Sequence, residues 1–135
     1  MGEEKRIIIY FEVKYKLLKH RIIAWYSIVL GISVIILWVL ILVKGPSPEG
    51  KTETGFHIVS EFLMAFLCIS SGVYLLSGRN SAVKLNVAAL AMTVYSLLNA
   101  TGYYFQQNAV MTAVIFLVLL VLSSVALIMH FSRWP

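Results

Sequence analysis

Four long runs of apolar residues alternate with short polar segments along the chain. The runs cover residues 22–43, 56–76, 85–104 and 109–131. Each is close to the roughly 20 residues that a helix needs to cross the hydrocarbon core of a bilayer. The runs are too long for barrel strands, and a helix satisfies its own backbone hydrogen bonds in lipid. The pattern therefore predicts an all-α integral membrane protein with four transmembrane helices.

The segments between these runs are short and contain residues that end or begin helices. Gly45 and Gly78 follow the first and second runs as predicted C-caps. Thr54 and Asn108 precede the second and fourth runs as predicted N-caps. Short connections place consecutive helices side by side in opposite directions. We therefore predict an antiparallel four-helix transmembrane bundle over residues 22–131.

The first 21 residues precede the first apolar run and differ from it in composition. They contain six of the chain's eleven lysines and arginines, with apolar residues between them. In a helical conformation Ile8, Phe11 and Tyr15 lie on one face. Residues 1–21 are thus a predicted basic amphipathic segment. It forms either an interfacial helix or an extension of the first helix, and we expect it to contact anionic lipid.

The distribution of basic residues predicts the orientation in the membrane. Nine of the eleven lie in the N-terminal segment, in the connection between the second and third helices, or near the C-terminus. Lys44 and Lys51 alone fall on the opposite side. Cytoplasmic segments carry an excess of Lys and Arg. We therefore predict a multi-pass protein of the cell membrane with both termini, including a tail at 132–135, in the cytoplasm.

Composition agrees with a bilayer as the solvent of this chain. Hydrophobic residues make up 60% and charged residues 13%, and the mean hydropathy is +0.87. Soluble domains carry about 25% charged residues, and a small domain cannot bury so much apolar surface. Basic residues that face anionic lipid explain the net charge of +5, so no nucleic-acid partner is predicted. The single cysteine, Cys68, excludes an internal disulfide.

The second apolar run contains an ionisable pair, His57 and Glu61. Their i, i+4 spacing places them one turn apart on the same helical face. Met64, Cys68 and Ser71 continue this face with small or polarisable residues, which membrane helices prefer at their interfaces. We therefore expect this face to point into the bundle.

Antiparallel packing brings a second polar patch to the level of Glu61. The third helix ends on the side where the second begins, and Asn99 and Tyr103 lie near that end. Ionisable residues within membrane spans mark functional sites by default. The predicted ligand-binding residues are Glu61, His57, Asn99, Tyr103, Tyr95, Ser96 and Met64.

These residues predict an outward-facing pocket for a proton, a cation or the polar end of a lipid-like molecule. The protein would then be ligand-binding or transport-associated. Two alternatives stay open: a structural or accessory subunit of a membrane complex, and a membrane enzyme that acts on an amphipathic substrate. We predict no catalytic residue, metal site or cofactor. The sequence has no catalytic triad or phosphate loop, and no further metal ligand accompanies His57 and Glu61.

The remaining polar and small residues have weaker predicted roles. His20 and His130 fall at helix ends, where an interfacial position is the ordinary interpretation and a haem between them is the alternative. Gly31 and Gly72 are predicted packing contacts between helices. Small-residue faces on several helices predict a homo-oligomer or a larger membrane complex.

Overall fold

The computed structural model describes residues 2–45 and 51–132. The helices are α1 (Glu3–Lys44), α2 (Lys51–Leu76), α3 (Ala82–Gln106) and α4 (Val110–Phe131). All four are long and apolar enough to cross a membrane. This confirms the predicted all-helical class with four helices of spanning length, and it indicates a multi-pass membrane protein. Of the tail predicted at 132–135, only Ser132 lies within the described residues.

The first helix is much longer than a single membrane crossing requires. It has 42 residues, which corresponds to about 63 Å at 1.5 Å per residue. Glu3 and Glu4 in its first turn and Lys44 in its last turn complement the helix dipole. The chain passes through residues 7–21 as one continuous helix, which is the second of the two predicted conformations.

The end of α2 is a Schellman motif built on the predicted glycine. Gly78 has a φ of 66°, a left-handed conformation that suits a residue without Cβ. Its N–H donates to the carbonyl of Leu75 at 3.2 Å, and the N–H of Arg79 donates to the carbonyl of Tyr74 at 3.2 Å. These two bonds satisfy carbonyl groups that the helix leaves without a partner. The predicted C-cap role of Gly78 is confirmed.

The two predicted N-caps are wrong. Asn108 has a φ of 56°, its N–H donates to Phe105, and the N–H of Ala109 donates to Tyr104. Asn108 therefore closes α3 through a second Schellman motif, because asparagine tolerates the left-handed conformation, and Ala109 is the N-cap of α4. Thr54 lies within α2, which begins at Lys51.

The backbones of α1 and α2 approach each other closely at two glycines. A Cβ added at Gly31 would lie 2.7 Å from the carbonyl oxygen of Ala65. A Cβ added at Gly72 would lie 2.7 Å from the carbonyl oxygen of Ala24. Early residues of one helix thus meet late residues of the other, so the pair is antiparallel. Both glycines are confirmed as packing contacts, because only a residue without a side chain permits this backbone approach.

Small and apolar residues fill the interior between the helices. α1 packs on α2, α2 on α3, and α3 on α4. The face predicted to point inward does so over its inner part, since Met64, Cys68 and Ser71 are all buried. Two core clusters result, one with Ile23, Ala24, Leu75, Ala82, Leu90 and Ala126, the other with Leu30, Met64, Cys68 and Ala89.

The first sixteen residues of α1 extend beyond this packing. Residues 3–18, here called the N-terminal arm, are all exposed, and Lys19 is the first buried residue of the helix. One residue later, the His20 ring lies 6.3 Å from the ring of His130, near the end of α4. At 1.5 Å per residue the N-terminal arm projects about 24 Å past this level. We call this end of the helix packing the termini end.

Candidate functional site

The carboxyl group of Glu61 faces the third helix. Glu61 is half-buried in α2 and accepts a hydrogen bond from the Ser96 hydroxyl of α3. We call Glu61 and Ser96 together the Glu61 pair. A carboxylate can accept about four hydrogen bonds, so one hydroxyl leaves most of that capacity open to a proton or a cation. The structure therefore brings together two of the seven predicted ligand-binding residues, from different helices.

Two further predicted residues lie on the same side of α2 at different depths. Met64 is buried in the core, one turn inward from Glu61. His57 is exposed, and its ring makes an edge contact with Trp38 of α1 at a centroid distance of 5.8 Å. Because Trp38 is itself buried, this contact fixes the start of α2 against α1.

The other predicted residues of α3 are more exposed. Tyr95 is 71% exposed, and its carbonyl accepts a hydrogen bond from the Asn99 amide at 3.0 Å. The Tyr103 ring contacts that of Tyr104 edge to face at 5.3 Å. The hydrogen bonds within the described ranges do not join Asn99 or Tyr103 to Glu61. That these residues share one ligand site stays a prediction.

A second polar cluster lies at the termini end and joins all four helices. The Asn86 amide of α3 donates to the hydroxyls of Ser27 in α1 and Ser71 in α2, at 2.8 and 2.9 Å. Its carbonyl oxygen lies 2.8 Å from Nε2 of His130 in α4. Asn86 and both serines are fully buried, and His130 is nearly so. We call these four residues the Asn86 network.

The geometry of Asn86 assigns the tautomer of His130. Both amide hydrogens are donated to serines, so the amide oxygen is the acceptor and His130 must donate from Nε2. A neutral imidazole protonated at Nε2 carries a lone pair on Nδ1. This Nδ1 is buried, and it has no hydrogen-bond partner in the part of the chain that the structure describes.

Other polar contacts between helices supplement the Asn86 network. The Tyr26 hydroxyl of α1 lies 2.6 Å from that of Ser123 in α4. The Cys68 thiol of α2 lies 3.4 Å from the hydroxyl of Thr93 in α3. Over residues 2–45 and 51–132, no three His, Cys, Asp or Glu side chains converge as a metal site requires.

Sequence reasoning missed Asn86 and Ser27. Asn86 is near the start of α3, where antiparallel packing places the ends of α2 and α4. The depth comparison that paired Glu61 with the end of the third helix would, at the termini end, have paired Asn86 with Ser71 and His130. Ser27 gives no such signal, because a serine within a span is usually a packing residue.

Comparison with known families adds a match over most of the chain. A family model described as "Domain of unknown function (DUF8058)" matches residues 17–135. The matched region includes the Glu61 pair and the whole Asn86 network. No curated protein and no solved structure matches the chain.

Proposed function

We propose that this chain, which belongs to the family described as "Domain of unknown function (DUF8058)", is a four-span cell-membrane protein that binds a proton or a cation at Glu61. The observation that carries this function is the Glu61 pair. An ionisable side chain in a membrane-spanning helix is costly and by default marks an ion or substrate site. Here it is half-buried and turned toward a hydroxyl of the neighbouring helix.

The chemistry of the Glu61 pair favours a small cationic guest. Ser96 donates one hydrogen bond to Glu61 and so holds the carboxyl group between α2 and α3. The remaining acceptor positions can take a proton or an ammonium-type cation. The described residues that flank this level on α3, Tyr95 and Asn99, offer an aromatic face and an amide. Such a site suits a ligand-binding or transport-associated protein.

Binding of a probe cation to the protein in a bilayer tests this function. In lipid nanodiscs we expect ethylammonium, a small cation with N–H donors, to bind the protein. Glu61→Gln should weaken that binding about tenfold, the effect of removing one charged interaction. Glu12→Gln is the matched control, since Glu12 is exposed on the N-terminal arm. The probe should also shift a carboxyl band of the protein in infrared difference spectra, and that shift should be absent in Glu61→Gln. If Glu61→Gln leaves both the probe binding and the probe-induced shift unchanged, the function is refuted.

A structural or accessory role is the second candidate, and the Asn86 network favours it. Polar side chains that bond across helices hold membrane bundles together without any ligand. The same experiment separates the two candidates. If Glu61→Gln lowers thermal stability but leaves probe binding and the probe-induced carboxyl shift unchanged, the structural role is the better account.

We propose an orientation with both termini in the cytoplasm. Six basic residues in the N-terminal 21 residues support it, since cytoplasmic segments are enriched in Lys and Arg. In a Cys68→Ser background, a Thr52→Cys variant should react with an impermeant maleimide applied to intact cells. A Ser81→Cys variant should react only after permeabilisation. The reverse pattern would overturn the orientation.

Self-association is the proposed state in the bilayer. The N-terminal arm leaves large apolar side chains exposed, including Ile8 at 58% and Phe11 at 64%. A surface of this kind is normally covered by lipid or by protein. Light scattering of the protein in nanodiscs should give a mass above that of one chain. A single-chain mass would remove this part of the proposal.

A further inference from the structure

A cavity of about 570 Å³ opens at the termini end, between α1 and the last turn of α2. It lies on the opposite end of the molecule from the Glu61 pair, so the function proposed above does not use it. The residues that line it and give it its chemistry are Leu17, His20, Arg21, Trp25, Leu75 and Leu76.

One part of the cavity wall is apolar. Leu17 and Trp25 are 61% and 54% exposed, so their surfaces are available to a guest. Leu76 is partly exposed beside them, and Leu75 forms the buried floor. Tryptophan is enriched where the hydrocarbon of a bilayer meets its headgroups. This wall is therefore suited to contact the part of an acyl chain that lies next to the lipid headgroup.

The remaining part of the wall is polar, and its charge comes from Arg21, because burial and the neighbouring lysines of α1 lower the pKa of His20. Arg21 and His20 line it directly. Arg79 follows the end of α2, where its guanidinium lies 4.8 Å from the centre of the Tyr74 ring. The nearest acidic residue before Arg21 on α1 is Glu12, nine residues and about 13.5 Å away along the axis. The charged side chains that the structure describes around the cavity are therefore basic, which favours an anion.

We propose that this cavity binds an anionic phospholipid, with the phosphate held by Arg21 and His20 and the acyl chain against Trp25. A guanidinium pairs with a phosphate through two parallel hydrogen bonds, which makes arginine the better residue for such a contact than lysine. Basic pockets between spanning helices on the cytoplasmic side are suited to lipid headgroups. This site requires the membrane insertion and orientation proposed above, but it does not depend on Glu61.

Quenching of Trp25 fluorescence tests the site directly. A Trp38→Phe, Trp134→Phe protein retains Trp25 as its only tryptophan. In phosphatidylcholine nanodiscs, brominated phosphatidylglycerol at a low mole fraction should quench Trp25 more strongly than the same fraction of brominated phosphatidylcholine. Arg21→Gln should reduce the preference for phosphatidylglycerol about fivefold, the effect of one basic side chain beside an anionic lipid.

The matched control is Arg6→Gln, which removes the same charge from an exposed position on the N-terminal arm. It should leave the preference unchanged. Equal quenching by both lipids, or equal losses in Arg21→Gln and Arg6→Gln, would overturn the site. If soluble glycerol 3-phosphate by itself prevents the quenching of Trp25 by brominated phosphatidylglycerol, the site binds a free anion, and the lipid assignment is also overturned.

A second measurement avoids the tryptophan substitutions. Native mass spectrometry of the otherwise unaltered protein should detect co-purified phosphatidylglycerol, reduced in Arg21→Gln and retained in Arg6→Gln. Glu61→Gln should retain the lipid as well. A loss of lipid in Glu61→Gln would contradict the independence of the two sites, whereas a failure of cation binding alone would leave the lipid site standing.

Discussion

Removal of the Asn86 side chain should destabilise the helix packing more than any other single truncation of a polar residue in α3. The Asn86→Ala variant loses three hydrogen bonds, to Ser27, Ser71 and His130. Hydrogen bonds between membrane helices contribute on average about 0.6 kcal/mol each and at most about 1.7. Three such bonds give about 2 kcal/mol, with an upper bound of about 5 kcal/mol.

The burial of Asn86 adds to this cost. The residue is fully buried, so truncation leaves a void and also leaves the N–H of His130 without its acceptor. We therefore expect a loss of about 2–4 kcal/mol in the free energy of unfolding. Ser27→Ala removes one of the three bonds and should cost only about 0.6 kcal/mol.

Unfolding by sodium dodecyl sulfate in mixed micelles, followed by circular dichroism, measures this difference. Asn99→Ala is the matched control, because it is the same substitution on the same helix at an exposed residue whose amide bonds to its own helix. We expect the control to change stability by less than about 0.5 kcal/mol. If the two variants agree within that margin, the Asn86 network does not hold the helices together.

Three further substitutions or probes test the packing elsewhere. Gly72→Ala should lower stability by about 1–3 kcal/mol in the same unfolding assay, because its Cβ would meet the α1 backbone. Gly102→Ala is the control, because there is open space around the added Cβ, and it should be neutral or stabilising by up to about 1 kcal/mol. Similar losses of stability in Gly72→Ala and Gly102→Ala would contradict the close approach of α1 to α2. Tyr26→Phe should cost about 0.6 kcal/mol through loss of its bond to α4, and Tyr95→Phe, at an exposed position, should cost nothing measurable. Cys68 is fully buried and should react with a maleimide only after unfolding; rapid labelling of the native protein would show that α2 and α3 do not pack as described.

The number of helices and the inward face of α2 could be predicted because local properties determine them. An apolar run of about 20 residues has few alternatives to a helix in lipid. Small and polarisable residues at i, i+4 and i+7, namely Met64, Cys68 and Ser71, indicate which side of α2 is buried. Gly78 has a similarly local role, since it supplies the left-handed residue that ends α2.

Contacts between side chains of different helices are harder to predict from sequence. They depend on the rotation of each helix about its own axis and on the register between helices, as well as on depth in the membrane. Glu61 was expected to meet several residues of the third helix, and it bonds to Ser96. Asn99 lies three residues further along, and that spacing alone does not determine which side of α3 faces α2. Asn108 shows a different ambiguity: asparagine is favoured both before a helix and after one, and here it closes α3.

The distribution of the Asn86 network along the chain has a consequence for biogenesis. Ser27, Ser71, Asn86 and His130 belong to successive helices, and they enter the membrane in that order if insertion follows synthesis. Until α4 is inserted, the Asn86 carbonyl oxygen lacks its donor, His130, and stays unpaired beside lipid. A chain truncated after α3 should therefore retain an exposed polar group in its membrane domain, the kind of feature by which quality-control proteases can distinguish an unfinished protein. His130, in the last turn of α4, pairs with this group once the last helix is in place.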